Sequence, residues 1–310
     1  MSHSVHAYLL TRRRLLQGLL ALPASALIPA FGQTLPPLNT PPDMQRIIAL
    51  EWLPVELLLA LGVMPMAVAE IANYRWWVEQ PALAAQVIDV GQRAEPNLEL
   101  IQQLAPSLLL ISSGFGPRAE QLRGIAPVMS LQINNPAGGP LQQASAALYQ
   151  LAEKLQLMPR AQAHMQQVNQ EIALSRRQLS QQPVRSLLLF TLLDSRHVLV
   201  FGRGSLLQDV LDNIGMTNAW QGASSFWGSV TVSLEQLATV GRCYGICFTH
   251  GDDALFQQVQ TTPLWQALPF VADQQCSRVP ALWFYGATFA AMRFCQILRQ
   301  TLCAEHVGRT

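Results

Sequence analysis

Charge is scarce in this chain. Only 13% of its 310 residues are Asp, Glu, Lys or Arg, and the formal net charge is +1, so it carries no electrostatic footprint for nucleic acid and favours neutral partners. Cysteine is few and late: five residues, none before Cys243, which excludes a disulfide framework and a lipid anchor on a processed N-terminal cysteine. Cys243 and Cys247 share one strand face in Cys-Tyr-Gly-Ile-Cys-Phe and read as buried thiols rather than a structural metal site. No two of His164, His197, His250 and His306 have metal-site spacing. Enzyme signatures are missing too: there is no G-x-S-x-G elbow, H-E-x-x-H, Walker A loop or G-x-G-x-x-G between strand and helix. Gly202-Arg203-Gly204-Ser205 lacks phosphate-loop spacing and reads as a turn and helix cap. No catalytic residue, protein-held metal or cofactor is expected.

A membrane-spanning run is also lacking. The apolar stretch 15–28 is broken by Gly18 and Pro23 and falls short of the roughly 20 residues a spanning helix needs. What stands there is Thr11-Arg12-Arg13-Arg14-Leu15-Leu16 followed by apolar residues, the form of a twin-arginine export signal. Residues 1–32 are read as that signal and 33–45 as a flexible, proline-rich lead-in, which places the mature protein free in a periplasm. Roughly 275 residues then remain, enough for one large or two medium domains.

Past the lead-in, apolar strands alternate with helices. Residues 46–50 form a β run, 54–62 a helix with proline at its start and glycine at its end, 97–104 a helix, 107–112 a strand and 119–124 a helical turn. That alternation implies a parallel sheet covered on both faces. Residues 141–182 then hold about forty helix formers without a strand signal. Pro159 suits the first turn of a second helix over 160–181, with Ala163, Val168, Ile172 and Leu179 on its apolar face. Strands return at 186–193, 197–201 and 244–249, with a helix at 205–214 and an apolar segment at 234–238. The fold expected is α/β: two Rossmann-like lobes, 46–158 and 183–310, joined by one long helix, 159–182. A ligand belongs in the cleft between them, outside the carboxyl ends of the strands.

Aromatic residues concentrate in loops. Trp76-Trp77, Phe226-Trp227 and Trp283-Phe284-Tyr285 would be costly at the surface unless they cover something. Each alone is also explained by packing beneath its own loop. Together they favour an aromatic-lined cleft. Arg93, after Ile88-Asp89-Val90-Gly91-Gln92, offers a fork of donors for hydroxamate or carboxylate oxygens, the alternative being an ion pair with Glu95 or Glu99.

Several segments carry a resemblance over nearly the whole chain. Residues 48–62, Val90-Gly91-Gln92-Arg93-Ala94-Glu95-Pro96-Asn97, Asn218-Ala219-Trp220-Gln221-Gly222, Phe226-Trp227-Gly228-Ser229, Thr262-Pro263-Leu264-Trp265 and Trp283-Phe284-Tyr285-Gly286-Ala287-Thr288 closely resemble the periplasmic ferric-hydroxamate (ferrichrome) binding proteins of ABC siderophore importers, class III substrate-binding proteins with a helical backbone. The resemblance implies a monomeric carrier, not an enzyme, that delivers an Fe(III)-siderophore to an inner-membrane permease and its ATPase, the iron being held by the siderophore. It also implies that Arg93 contacts the hydroxamate oxygens and that Trp52, Trp77, Trp227, Trp283 and Tyr285 line the pocket, with Ser229 and Ser225 adding polar contacts. Two positions depart from the family: its cleft tyrosine is here Phe115, within Ser113-Gly114-Phe115-Gly116, and a neighbouring tryptophan is Ile111. By resemblance, Glu120 meets the permease from one lobe, and Asp252 or Asp253 from the other; solvated surface charge is the alternative for all three. The competing readings are a carrier of another iron complex or of cobalamin and, in a different class, a secreted siderophore-processing enzyme.

Overall fold

The computed structural model describes residues 41–132, 139–184, 186–249 and 254–304, and residues from Pro41 onward form one compact unit. The expected export signal and lead-in lie almost wholly outside the described residues. The first sheet contains β1 (Ile47–Ala49), β2 (Ala67–Val68), β3 (Ile88–Asp89), β4 (Leu108–Ser112) and β5 (Val128–Leu131), in the order β3-β2-β1-β4-β5. Every pairing is parallel. Ile47, Ile48 and Ala49 are fully buried, as an unbroken apolar run must be when both faces of a parallel sheet are covered. Between the strands run α1 (Trp52–Ala60), α2 (Ile71–Trp77), α3 (Leu98–Leu104) and α4 (Ala119–Leu122). Helix α1 starts two residues before the expected Pro54, because the Glu51 side chain accepts from the Leu53 amide at 2.9 Å and caps it.

The chain leaves this sheet through α5 (Pro140–Leu155) and α6 (Met158–Leu179). At 1.5 Å per residue the 22 residues of α6 span about 33 Å. Pro159 sits in its first turn as expected, but the helix lies about two residues earlier than 160–181. Its buried face is Ala161, His164, Met165, Val168, Ile172, Ser175 and Leu179, and Ala163 is exposed. Ala161 and Val168 are two helical turns apart and share a face, whereas Ala163 is rotated away from Val168.

The second sheet is built from β6 (Ser186–Leu192), β7 (His197–Phe201), β8 (Thr217–Asn218), β9 (Ser229–Ser233), β10 (Tyr244–Thr249) and β11 (Cys276–Pro280), with α7 (Leu206–Ile214), α8 (Ala254–Gln260), α9 (Pro263–Gln266), α10 (Pro269–Ala272) and α11 (Thr288–Ala304). Its order is β11-β10-β6-β7-β9, with β8 beside β6. Unlike the first sheet it is mixed: β6 pairs in parallel with β8 and β10, and β7 runs antiparallel to both β6 and β9. The short link between β6 and β7 forces this, because a parallel crossover needs about a dozen residues or more. The apolar segment 234–238 lies in a 3₁₀ helix, Leu234–Thr239.

A continuous apolar core runs through the helices between the two sheets, joining Leu57 of α1, Leu148 of α5, Val168 of α6, Val210 of α7 and Phe294 of α11. Separate clusters cover the far face of each sheet. All five cysteines are free, and burial pushes the Cys243 thiol up to about 11 and the Cys276 thiol up to about 12. Inside the helical layer, His164 of α6 shares a 2.8 Å hydrogen bond with Thr288 Oγ1 and packs edge-on against Phe289. Burial lowers its pKa, so it is held neutral. The unfolded chain takes up the proton first, near pH 6.5, so the stability His164 contributes is present above that pH and is lost as pH falls through it. The melting-temperature advantage of the wild type over His164→Gln should therefore shrink between about pH 7.5 and about pH 5. An advantage that grows on acidification would contradict this.

Candidate functional site

The site lies where the parallel strands end. Glu51 follows β1, Glu70 follows β2, Arg93 follows β3, and Ser112 ends β4 with Ser113–Phe115 after it; opposite them are residues of β6, β10 and β11. The turn after β4 wraps Arg93 closely. Gly116 has φ +75, and a Cβ there would come within 2.8 Å of the Arg93 carbonyl oxygen. Only glycine lets the two segments approach so nearly, and this brings Phe115 over the arginine.

Arg93 is held on three sides. Its Nη1 donates to Glu51 Oε1 at 2.5 Å and its Nε to Glu70 Oε2 at 2.8 Å, while the guanidinium carbon lies 3.6 Å from the Trp52 ring centroid. The ion pairs are thus with Glu51 and Glu70, not with Glu95 or Glu99. Burial alone would raise the Glu70 carboxyl, but hydrogen bonds from Arg93 and Asn73 outweigh it and hold the carboxyl below its usual range. Glu51 Oε2 is fixed in turn by the Leu53 amide and by the Ser112 hydroxyl at 3.2 Å. Among the described residues the Nη2 group of Arg93 has no hydrogen-bond partner, and Phe115 and Trp283 stand 5.1 and 5.7 Å from the guanidinium. The arginine is pre-aimed with a donor in reserve.

The aromatic residues form a chain of edge-to-face contacts across the cleft. Tyr74 meets Trp52 at 6.0 Å between centroids, Trp52 meets Trp283 at 4.8 Å, Trp283 meets Tyr285 at 5.3 Å and Tyr285 meets Trp227 at 5.9 Å. The buried Ser229 hydroxyl holds the Tyr285 hydroxyl at 3.0 Å. Two cavities flank the Trp283–Tyr285 ridge. One, of about 370 Å³, has Trp77 in its wall; the other, of about 280 Å³, has Phe115 and Trp227. Arg93, Trp283 and Tyr285 border both.

Of the expected ligand residues, Arg93, Trp52, Trp77, Phe115, Trp227, Trp283 and Tyr285 therefore come together. Ser229 stands behind them, and Ser225 lines neither cavity: its Oγ accepts from the Trp227 amide at 3.2 Å and shapes the turn. Glu120 is exposed on α4, 3.6 Å from Arg123, and Asp252 and Asp253 lie outside the described residues. Sequence reasoning missed Glu51 and Glu70, which sit far from Arg93 along the chain. It also missed Arg278, which borders the larger cavity with its guanidinium 4.0 Å from the Phe256 ring centroid. Among the described residues, no cluster of three or more His, Cys, Asp or Glu could hold a metal ion.

A cleft at the carboxyl ends of two sheets, aromatic on its walls and polar at one arginine, is a binding architecture. A family model for periplasmic binding proteins matches residues 47–281. The chain belongs to that family. It is 45% identical over 290 residues, 94% of this chain and 96% of the relative, to the iron(3+)-hydroxamate-binding protein FhuD of Escherichia coli (strain K12). It is also 28% identical over 80% of its length, and 79% of the relative's, to the Fe(3+) dicitrate-binding periplasmic protein FecB of the same organism. Among solved structures, the Fe3+-Desferal-bound siderophore binding protein FhuD of Vibrio cholerae superimposes with a TM-score of 0.78 at 26% identity, covering 84% of this chain and 99% of that one. The two-lobed α/β fold is that of these relatives. The chain is a binding protein and not an enzyme, so the siderophore-processing alternative falls.

Proposed function

We propose that this protein captures Fe(III)-hydroxamate siderophores of the ferrichrome or ferrioxamine type and delivers them to an inner-membrane ABC permease and its ATPase. The observation that carries the reading is Arg93, stacked on Trp52 between two acidic side chains and keeping Nη2 for a ligand oxygen at the junction of both cavities. Three hydroxamate anions neutralise Fe(III), so the complex is uncharged around the metal and its iron needs no protein ligand. Glu51 and Glu70 set two acidic groups against one guanidinium, which suits a neutral complex and repels a strongly anionic one. That electrostatic balance favours hydroxamates over the dicitrate bound by one of the relatives. Cobalamin or another iron complex is the competing cargo.

Export by the twin-arginine route, residence in the periplasm as a monomer, and docking of the permease through Glu120 and Asp252 or Asp253 complete the proposal. Gel filtration of the mature protein with radioiron-labelled ferrichrome tests capture: iron should elute with the protein, and iron eluting only as free complex would end the assignment. Phe115 tunes the same site. It is 41% exposed beside Arg93, and Phe115→Tyr supplies a phenolic donor at the cleft. A hydrogen bond to a strongly polar oxygen contributes about 1.5 kcal/mol or more, so ferrichrome should bind about tenfold more tightly to the variant by calorimetry. Unchanged affinity would mean that the phenol does not reach the ligand.

A further inference from the structure

Glu56 is a buried acid that the cargo cleft does not touch. It lies one turn after Trp52 on the same helix, α1, and is 2% exposed. Its Oε2 accepts from the Ala287 amide at 2.7 Å, and its Oε1 accepts from the Phe289 and Ala290 amides at 2.6 and 3.1 Å. Ala287 immediately precedes α11, and Phe289 and Ala290 lie in its first turn, where N–H groups have no partner within the helix, so a side chain more than two hundred residues away in sequence caps it. Burial drives the Glu56 carboxyl upward and the three amides pull it back. The chain entering α11 is Trp283-Phe284-Tyr285-Gly286-Ala287, the ridge between the two cavities. Gly286 leaves room for the carboxylate: a Cβ there would lie 2.5 Å from Glu56 Oε2 and 2.7 Å from the Ala290 Cβ.

We infer that Glu56 is a positioning residue for the cargo cleft, fixing Trp283 and Tyr285 of one lobe against Trp52 and Arg93 of the other. The inference rests on the cleft being the cargo site. Because Trp52 and Glu56 belong to one short helix, the ring and the cap that meet the ridge are set by the same rigid element. Glutamine at position 56 would turn an N–H₂ donor toward at least one backbone donor, leaving the ridge less well held.

A double-mutant cycle tests this, using ferrichrome and ferrioxamine B with the wild type, Glu56→Gln, Trp283→Ala and the double variant, each with its melting temperature. Glu56→Gln should weaken binding about tenfold in the wild-type background and by less than about twofold once Trp283 is absent, because the ring whose place it sets has gone. A lower melting temperature with unchanged affinity, or an equal loss in both backgrounds, would make Glu56 a structural cap alone and overturn the proposal. Should Glu56→Gln not fold, Gly286→Ala crowds the same carboxylate from the ridge side, and the same pair of outcomes applies. The wild-type titration stands or falls with the cargo reading by itself, so the two failures are separable.

Discussion

Arg93→Leu should weaken capture of ferric hydroxamates by about two decades, the largest loss of any single substitution in the cleft. Two effects act together. The variant lacks the guanidinium of a residue that borders both cavities. It also leaves Glu51 and Glu70, each largely shielded from solvent, without the cation that both now contact. Breaking a partly buried pair costs roughly 2 to 3 kcal/mol, so the melting temperature should also fall by about 5 °C. Arg93→Lys separates the two effects. Lysine keeps a charge near the acids, but a point charge cannot serve two carboxylates and a ligand oxygen in one plane. Its stability should be close to that of the wild type, whereas its affinity should fall by about tenfold or more. Equal affinity for the lysine variant would show that Arg93 acts through charge alone.

Trp283→Ala should weaken binding by about thirtyfold or more, the scale expected for an aromatic anchor at the centre of an interface. Trp283 contacts Trp52 and Tyr285 and forms a wall of both cavities; without it the two spaces merge and Tyr285 loses its support. Trp283→Phe distinguishes the ring from the fold. The Trp283 Nε1 is buried without a hydrogen-bond partner among the described residues, so phenylalanine removes an unsatisfied donor while keeping an aromatic face. Stability should hold or rise, and affinity should fall by less than about tenfold. Calorimetry is the appropriate measurement, because Trp283 is one of seven tryptophans and its removal alters the fluorescence signal. An alanine variant that binds normally would move the cargo away from the ridge.

The fold was legible where one physical requirement dominates a segment. An unbroken run such as Ile47-Ile48-Ala49 has few uses except a strand covered on both faces, and Pro159 beside a long strand-free stretch marks a helix start. The turn to antiparallel pairing at β7 was not legible from alternation, because link length rather than apolar pattern decides it. In the site, the aromatic loops were readable since exposed paired tryptophans are costly. The partners of Arg93 were not: Glu51 and Glu70 lie 42 and 23 residues away, and only the neighbouring ends of β1, β2 and β3 make them meet. Arg278 was hidden for a different reason, since it lies within β11 and faces the cavity only because of its register there. Glu56 likewise sits in an apolar helix, and nothing local shows that its partners begin at Ala287.

The central claim is that a ferric hydroxamate, uncharged around its metal, fills the cleft beside Arg93, and tryptophan-fluorescence titration of the mature wild-type protein tests it most directly. Ferrichrome and ferrioxamine B should quench the signal saturably, while ferric dicitrate, repelled by the acidic pair that holds Arg93, should not. Saturable quenching by ferric dicitrate or cobalamin, with no response to either hydroxamate complex, would contradict the account.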